Sequence, residues 1–471
     1  MRPTLTAALL ALCPIGPAAA ADLFLAQGLM TGEVTADSAL VQTRLTATPG
    51  LDSDGDVPGA TGVVAFDVAA SADFADATRT PFRPATADRD FLVRARLDRL
   101  DPDTIYHVRP VFGPTPEDAT PGPPGRFRTA PAADADVPVR FAMGSCMHYF
   151  KFMHGKTAKA SGPVTATDED KRLGYPSFAA LRDARPRFFV GAGDIVYYDH
   201  GPPKGEDRAT MRRKWHEQFR FPRLTAFFAV TPAYWLKDDH DFRYNDADLR
   251  GTRPPGPTLG SSVFLEQLPL AAQDAADVTS YRTRRHGKHL QLWFLEGRDH
   301  RSPNKMPDGP DKSIWGVDQR DWLFETLAAS DATWKLVVSP TPMVGPDDKR
   351  KTDNHTNLGG FRYEAELFFN YLKDAEIENV ALLCGDRHWQ YHSVHATGVH
   401  EFAVGSLNDE NSRRGRKPGD PKSTDPDGLI DQRWQYPEPT GGFVVVEAGE
   451  TLTVQFRDDQ GDVGYRAKVT E

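Results

Sequence analysis

Residues 188–197 read FFVGAGDIVY, a short apolar run that leads into Gly193, Asp194 and Tyr197. Apolar runs of this length between helical stretches are typical of buried strands in α/β sheets. Three further apolar runs end in the same way: residues 141–148 read FAMGSCMH, residues 234–241 read YWLKDDHD and residues 381–388 read ALLCGDRH. Because ligands of open α/β sheets bind outside the carboxyl ends of the strands, these four ends predict one shared site.

The pattern of apolar and polar residues along the chain predicts two domains. Apolar runs alternate with helical patterns over residues 139–471, which indicates an α/β domain. Residues 22–130 instead alternate apolar with small or polar residues and predict an all-β domain. Within it, residues 97–106 are similar to the turn-and-strand corner of fibronectin type III sandwiches. The proline-rich residues 131–138 predict a stiff linker between the two domains.

Residues 1–21 predict an export signal, because Arg2 precedes an apolar stretch and residues 18–21 are alanines typical of a cleavage site. No later apolar run approaches the ~20 residues that span a bilayer, so we expect an exported, periplasmic or secreted protein without a membrane span. The chain of 471 residues has a net charge of −10. This acidic balance argues against a nucleic-acid partner, although a bound cation can reverse the field locally.

The polar strand ends combine carboxylate, imidazole, thiol and phenol groups. Carboxylates suit hard cations, imidazole suits transition metals, and thiolate or phenolate favours a Lewis-acidic ion such as iron. Several buried carboxylates are costly together unless a cation neutralises them. A single Asp or His after a strand is more often a turn former or a helix cap. Four such ends together predict a metal site.

Two cysteines, Cys146 and Cys384, remain after removal of the predicted export signal, and both lie at predicted strand ends. In an exported protein the simpler interpretation of such a pair is one disulfide. The alternative is that Cys146 supplies a thiolate to the metal site. The residues alone leave both interpretations open.

Five motifs follow one another along the α/β domain: Ser145-Cys146, Gly193-Asp194-x-x-Tyr197, Asp238-Asp239-His240-Asp241, Glu296-Gly297-Arg298-Asp299-His300-Arg301 and Gly385-Asp386-x-His388. Together they resemble the motifs of the PhoD-type alkaline phosphatases and phosphodiesterases, a divergent group of calcineurin-like metallophosphoesterases. The resemblance extends over about residues 139–406. It implies a layered α/β sandwich of the metallophosphoesterase type, preceded by an all-β, fibronectin III-like domain.

The resemblance also implies a cluster of metal ions, Fe(III) with Ca(II), with Zn(II) or Mn(II) as alternatives. It favours Cys146 as a metal ligand over the disulfide, and His148 stands where the family often has Gln. His240 is the expected proton donor or oxyanion-stabilising group, and Arg298 and Arg387 are expected to clamp phosphate, because guanidinium binds phosphate through two parallel hydrogen bonds. The expected metal ligands are Cys146, His148, Asp194, Tyr197, Asp239, Asn245, Asp386 and His388.

We therefore expect an exported, monomeric, metal-dependent hydrolase of phosphate esters that acts on monoesters, diesters or both. Small molecules, phospholipids, nucleotides and envelope phosphodiesters remain open as substrates. The alternative is that the protein is an inactive relative of these enzymes that binds an envelope component or polymer. The retained Asp and His residues argue against such a loss of catalytic activity. A hydrolase with a Ser or Cys nucleophile is disfavoured, because the sequence contains no Gly-x-Ser-x-Gly elbow.

Overall fold

The structure, a computed structural model, describes residues 22–155, 163–273, 275 and 278–470. The predicted export signal at residues 1–21 lies outside the described residues. The strands are β1 (Leu29–Gly32), β2 (Ser38–Arg44), β3 (Gly62–Ala69), β4 (Thr78–Arg79), β5 (Arg83–Ala85), β6 (Leu92–Asp98), β7 (Ile105–Gly113), β8 (Thr120–Pro121), β9 (Gly125–Arg128), β10 (Val139–Gly144), β11 (Phe189–Ala192), β12 (Ala233–Leu236), β13 (Arg282–His286), β14 (Leu290–Phe294), β15 (Trp334–Ser339), β16 (Val380–Cys384), β17 (Gln390–Val394), β18 (His400–Val404), β19 (Asp431–Gln435), β20 (Gly442–Ala448), β21 (Leu452–Asp458) and β22 (Val463–Val469). The α-helices are α1 (Tyr149–His154), α2 (Asp168–Leu173), α3 (Pro176–Ala184), α4 (Arg208–Phe219), α5 (Pro222–Phe228), α6 (Asp239–Phe242), α7 (Pro257–Gln267), α8 (Gly316–Ala328) and α9 (Arg362–Asp374).

Two large sheets form the α/β sandwich that the sequence predicts. The first has nine strands in the order β22-β21-β20-β10-β11-β12-β1-β2-β6, and the second has seven in the order β13-β14-β15-β16-β18-β17-β19. Apolar side chains from both sheets, such as Phe141, Val190, Leu292 and Leu383, fill one core between them. The central strands are buried on both faces, which explains their continuous apolar runs.

Helices cover the outer faces of both sheets. Residues of α3, α4, α5 and α7 pack with the nine-stranded sheet in one core, and residues of α8 and α9 pack with the seven-stranded sheet in another. None of the helices in the described part of the chain is long and apolar enough to cross a membrane. The predicted fold class, an α/β sandwich of layers, is confirmed.

The N-terminal region is all-β, as predicted. Strands β3, β4, β5, β7, β8 and β9 form a third sheet, and its apolar face packs against β2 and β6 around Val41, Phe66, Val93 and Phe127. However, β1, β2 and β6 belong to the nine-stranded sheet. Strand β1 pairs in parallel with β12, where Gly32 lies opposite Ala233. One sheet therefore crosses the predicted linker at residues 131–138.

The two sheets approach each other closely at the carboxyl ends of their strands. A Cβ atom on Gly385, directly after β16, would lie 2.4 Å from the carbonyl oxygen of Ala192 at the end of β11 and 3.2 Å from Cβ of Ser145 after β10. Glycine is required here because any side chain would push the two sheets apart. This contact brings polar strand ends from both sheets to one edge of the sandwich.

The junction between β1 and β12 can be tested with Gly32→Ala. A Cβ at this position would lie 2.6 Å from the carbonyl oxygen of Pro269 and 3.1 Å from that of Ala233, both on the backbone. Because the backbone cannot easily move away, we expect a loss of about 1–3 kcal/mol in the free energy of unfolding. Thermal unfolding of the full chain measures it.

Gly50→Ala is the matched control, because no heavy atom lies within 4 Å of its added Cβ. We expect this variant to unfold within a degree or so of the parent, since the added methyl group meets nothing. Equal unfolding temperatures for Gly32→Ala and Gly50→Ala would show that the junction is loose and that the sheet is not continuous in solution.

Candidate metal centre

Three of the polar strand ends carry a non-glycine residue in the left-handed backbone region. Cys146, Asp194 and Asp386 have φ angles of 57°, 55° and 59°. This conformation is uncommon for residues with a side chain, and it concentrates at functional sites. Gly193 allows the turn at β11, because a Cβ there would lie 2.6 Å from Cβ of Asp238. The backbone thus adopts the same uncommon conformation at all three strand ends, and it brings the side chains of Cys146 and Asp194 into contact.

The first group of candidate ligands, the cysteine group, consists of Cys146, Asp194 and His388. One ligand atom from each lies within 4.8 Å of the others. Sγ of Cys146 is 3.7 Å from Oδ2 of Asp194, and the hydroxyl of Tyr197 donates a hydrogen bond of 3.2 Å to the same oxygen. The structure therefore places a thiol, a carboxyl, an imidazole and a phenol from different parts of the chain around one position.

The second group, the aspartate group, consists of Asp194, Asp239 and His240, whose ligand atoms also lie within 4.8 Å of one another. Oδ1 of Asp239 is buried and has no hydrogen-bond partner among the described residues. A buried carboxylate oxygen without a partner is costly, and a cation at this position would satisfy it. Asp194 belongs to both groups.

The electrostatics support cation binding at these two groups. Burial, reinforced by the nearby Asp239, raises the pKa of Asp194 well above its ordinary value. Burial, reinforced by Asp194, raises the pKa of the Cys146 thiol. Burial therefore disfavours the charged forms of both residues, and positive ions bound beside them would stabilise those forms. The donor set, with its partnerless oxygen, fits a cluster of metal ions.

His240 is held by a residue that the sequence analysis missed. Its Nδ1 lies 2.6 Å from Oδ1 of Asp199. Although burial opposes it, the neighbouring Asp239 and Asp199 raise the pKa of His240 to about 10. His200 joins Asp199 and His240 in a third group with ligand atoms within 4.8 Å. The only sequence signal for Asp199 and His200 is their position directly after the Asp194 motif.

Another missed residue, Asn411, lies in the loop after β18 and contacts the cysteine group. Its Nδ2 donates hydrogen bonds of 3.0 Å to the hydroxyl of Tyr197 and to the carbonyl oxygen of Cys146. Its Oδ1 accepts a hydrogen bond of 2.7 Å from Nζ of Lys151. Asn411 therefore fixes the phenol position, and no sequence pattern distinguished it from the other polar residues of this long loop.

Two further predicted ligands, His148 and Asn245, contact residues that adjoin the two groups. Both ring nitrogens of His148 have partners: Nδ1 accepts from the backbone of Lys151, and Nε2 lies 2.9 Å from Nδ1 of His200. The His148 ring stacks on Tyr197 with ring centroids 4.1 Å apart, so it supports the phenol. Asn245 is exposed, and its backbone N–H donates to Asp199.

The two arginines predicted to bind phosphate, Arg298 and Arg387, each form buried ion pairs. Arg298 is completely buried and donates to Asp238 through Nε at 2.8 Å and to the carbonyl oxygen of Ala247 at 2.9 Å. Its guanidinium is thus used within the protein, which corrects the prediction that it binds substrate. Arg387 is also completely buried and pairs with Asp347 and Asp386.

The predicted ligand Asp386 forms an ion pair with an arginine, whereas Asp194 lies among other candidate ligands. Its carboxylate is turned toward Arg387, and it belongs to none of the candidate groups in the described chain.

The disulfide interpretation is wrong, because Cys146 and Cys384 are both free thiols. Of the eight predicted ligands, the structure brings together Cys146, Asp194, Tyr197, Asp239 and His388.

Comparisons with known proteins agree with this fold. A family model described as PhoD-like phosphatase matches residues 141–435, and a second, described as PhoD-like phosphatase, N-terminal domain, matches residues 12–131. Alkaline phosphatase D of Bacillus subtilis (strain 168) is 24% identical over 415 residues, which cover 77% of this chain and 64% of that protein. The chain thus spans less than two thirds of that curated relative.

Solved structures show the same fold. A structure described as PhoD superposes with a TM-score of 0.74 at 19% identity, covering 97% of this chain and 90% of the other. Purple acid phosphatase PPD1 from yellow lupin (Lupinus luteus) seeds superposes with a TM-score of 0.62 at 11% identity, covering 94% and 74%. These superpositions confirm the predicted architecture of sandwich and N-terminal β-domain.

The shared carboxylate can be tested with Asp194→Asn. We expect this variant to lose metal from both groups, measured as metal per chain by plasma mass spectrometry. The parent should unfold at a lower temperature after chelation, because its buried acids lose their counter-ions, while Asp194→Asn should be insensitive to chelator. Asp183→Asn, at an exposed position on α3, is the control. Full metal content in Asp194→Asn would contradict the assignment.

Proposed function

The chain belongs to the PhoD-like phosphatase family, whose model matches more than half of its residues, and on that premise we propose that it is a metal-dependent hydrolase of phosphate esters. One observation carries the proposal: Asp194 belongs to both groups of candidate ligands, the cysteine group and the aspartate group. Sites that hydrolyse phosphate esters commonly use two neighbouring metal ions. A single carboxylate common to two groups is what such a site needs.

Cys146, Asp194, His388 and Tyr197 would hold one ion, and Asp194 and Asp239 would hold another. Metal ions bound there would polarise the phosphoryl oxygens and lower the pKa of a water molecule, so that it becomes a nucleophile at neutral pH. The protein contributes the fixed position of these ligands. It also excludes bulk water, since the carboxyl and thiol groups are buried.

His240 supplies the proton in this proposal. Its Nδ1–H is held by Asp199, so Nε2 is the nitrogen left to face a substrate. Because the Asp199 carboxylate accepts from Nδ1 and favours the protonated ring, the imidazolium can donate the Nε2 proton to the leaving alkoxide. Asp199 keeps the ring in this orientation, as a carboxylate does for a catalytic histidine in other hydrolases.

The ligand chemistry favours particular metals. The cysteine group offers thiolate, phenolate, imidazole and carboxylate, a set that suits iron, and the aspartate group is richer in oxygen, which suits calcium. We therefore propose Fe(III) with Ca(II), with Zn(II) or Mn(II) as the alternatives. Export through residues 1–21 and a monomeric state are part of the same proposal and rest on the sequence.

Hydrolysis can be tested with aryl phosphate mono- and diesters on the purified full chain. We expect turnover that is lost after prolonged chelation, and a fall in kcat of about 10²–10⁴ for His240→Gln. His107→Gln, on β7 of the N-terminal region, is the control and should keep full activity. A protein that holds stoichiometric metal without turnover of either ester would contradict hydrolysis and favour a binding module.

The identity of the metal in the cysteine group can be tested by the visible absorption of the protein. If iron binds there with Tyr197, phenolate-to-iron charge transfer should give a visible absorption band. Tyr197→Phe should abolish this band while iron content, measured in the same sample, stays near that of the parent. Tyr198→Phe is the matched control, because its hydroxyl accepts from Trp215 and does not face the group. A colourless, iron-free and fully active parent would rule iron out.

A further inference from the structure

A cavity that shares no residue with the metal centre carries an unusual charge. It has a volume of about 830 Å³ and lies between the N-terminal region and helices α3 and α5. Six arginines line it: Arg126, Arg128, Arg182, Arg185, Arg187 and Arg223. One acidic residue, Asp183, is among the lining residues. This is a strong local excess of positive charge in a protein whose net charge is −10.

Three of these arginines are paired with acidic residues that are not among the lining residues of the cavity. Asp103 accepts two hydrogen bonds of 2.9 Å from Arg128 and also pairs with Arg187. Nη1 of Arg223 donates to Asp170 at 2.8 Å. Three of the six arginines are therefore neutralised by ion pairs within the protein, and these pairs hold the wall of the cavity in place.

The other three, Arg126, Arg182 and Arg185, are exposed and make no ion pair or side-chain hydrogen bond within the described residues. Like charges gathered in one concave site repel each other, and the cavity walls focus their field. The three guanidinium groups are exposed and solvated, and their combined positive field favours an anion in the cavity.

The cavity is formed by a direct backbone contact between its two walls. The N–H of Arg126 in β9 donates to the carbonyl oxygen of Ala229 at 2.7 Å, just after α5. A Cβ on the preceding Gly125 would lie 2.2 Å from the same oxygen. The two walls therefore meet without side chains between them, and the arginines above this contact are presented from a rigid base.

We propose that this cavity, the arginine cavity, binds an anion that carries two or more phosphate groups. Guanidinium matches phosphate through paired hydrogen bonds, and three unpartnered guanidinium groups can neutralise more charge than one monoester carries. The volume suits a ligand of this size. The inference does not rest on the proposed hydrolysis, because the cavity shares no residue with the metal centre.

Binding can be tested by calorimetry on the metal-loaded full chain, with inorganic tripolyphosphate as the probe and orthophosphate as the comparison. We expect tripolyphosphate to bind at least tenfold more tightly than orthophosphate and to weaken as salt is raised. The double variant Arg126→Gln/Arg182→Gln should lose at least tenfold in affinity for tripolyphosphate. ATP as a second probe distinguishes a nucleotide from a free oligophosphate: tighter binding than tripolyphosphate indicates the nucleotide.

The control removes the same charge elsewhere. Arg466→Gln/Lys468→Gln changes two exposed cations on β22 and should bind within twofold of the parent. Hydrolysis of aryl phosphate should be unchanged in both double variants, which separates the cavity from phosphate binding at the metal centre. Equal affinities of the two double variants, or no binding of tripolyphosphate by the parent at millimolar concentration, would overturn the proposal. The single variant Arg182→Gln serves if the double variant does not fold.

Discussion

The metal centre depends on the burial of Asp194 beside other acidic groups. Only 1% of this residue is exposed, and a thiol, a phenol and Asp239 share its surroundings. In a site of low polarity, these groups cannot all carry charge unless positive charge enters with them. The same burial that makes the empty arrangement unfavourable makes it a strong ligand set. Binding a cation therefore stabilises the native chain as well as preparing it for chemistry.

The acids that follow β12 show how one motif divides between structure and function. Asp238 is neutralised by Arg298, and Asp241 accepts hydrogen bonds from the backbone N–H groups of Ile195 and Asp238. Asp239, between them, keeps a buried oxygen without a partner in the described chain. Each carboxylate thus finds a different source of positive charge: a guanidinium, backbone dipoles or a cation. The partner of each acid, rather than its place in the motif, decides its role.

The apolar runs and their polar ends predicted the α/β domain, the all-β region and the convergence of the strand ends that carry Cys146, Asp194, Asp239 and His388, whereas the sandwich was implied by the family resemblance. They succeeded because burial on both faces imposes a readable pattern, and because strand ends meet at one edge. Arg298 was misplaced, since a motif does not show which acid its guanidinium will meet. Asn411 and Asp199 were missed because both lie in loops, where position is set by long-range contacts that leave no periodic signal.

The sheet that crosses the predicted domain boundary ties the N-terminal region to the site. Strand β1 pairs with β12, the strand that leads directly into Asp239 and His240. Directly after β1, Glu33 is buried and accepts a hydrogen bond of 2.8 Å from Arg282 in the other sheet. One short segment therefore holds both sheets at the point where their polar ends must converge. The N-terminal region is thus part of the scaffold that sets ligand geometry, and its removal would also expose the edge of β12.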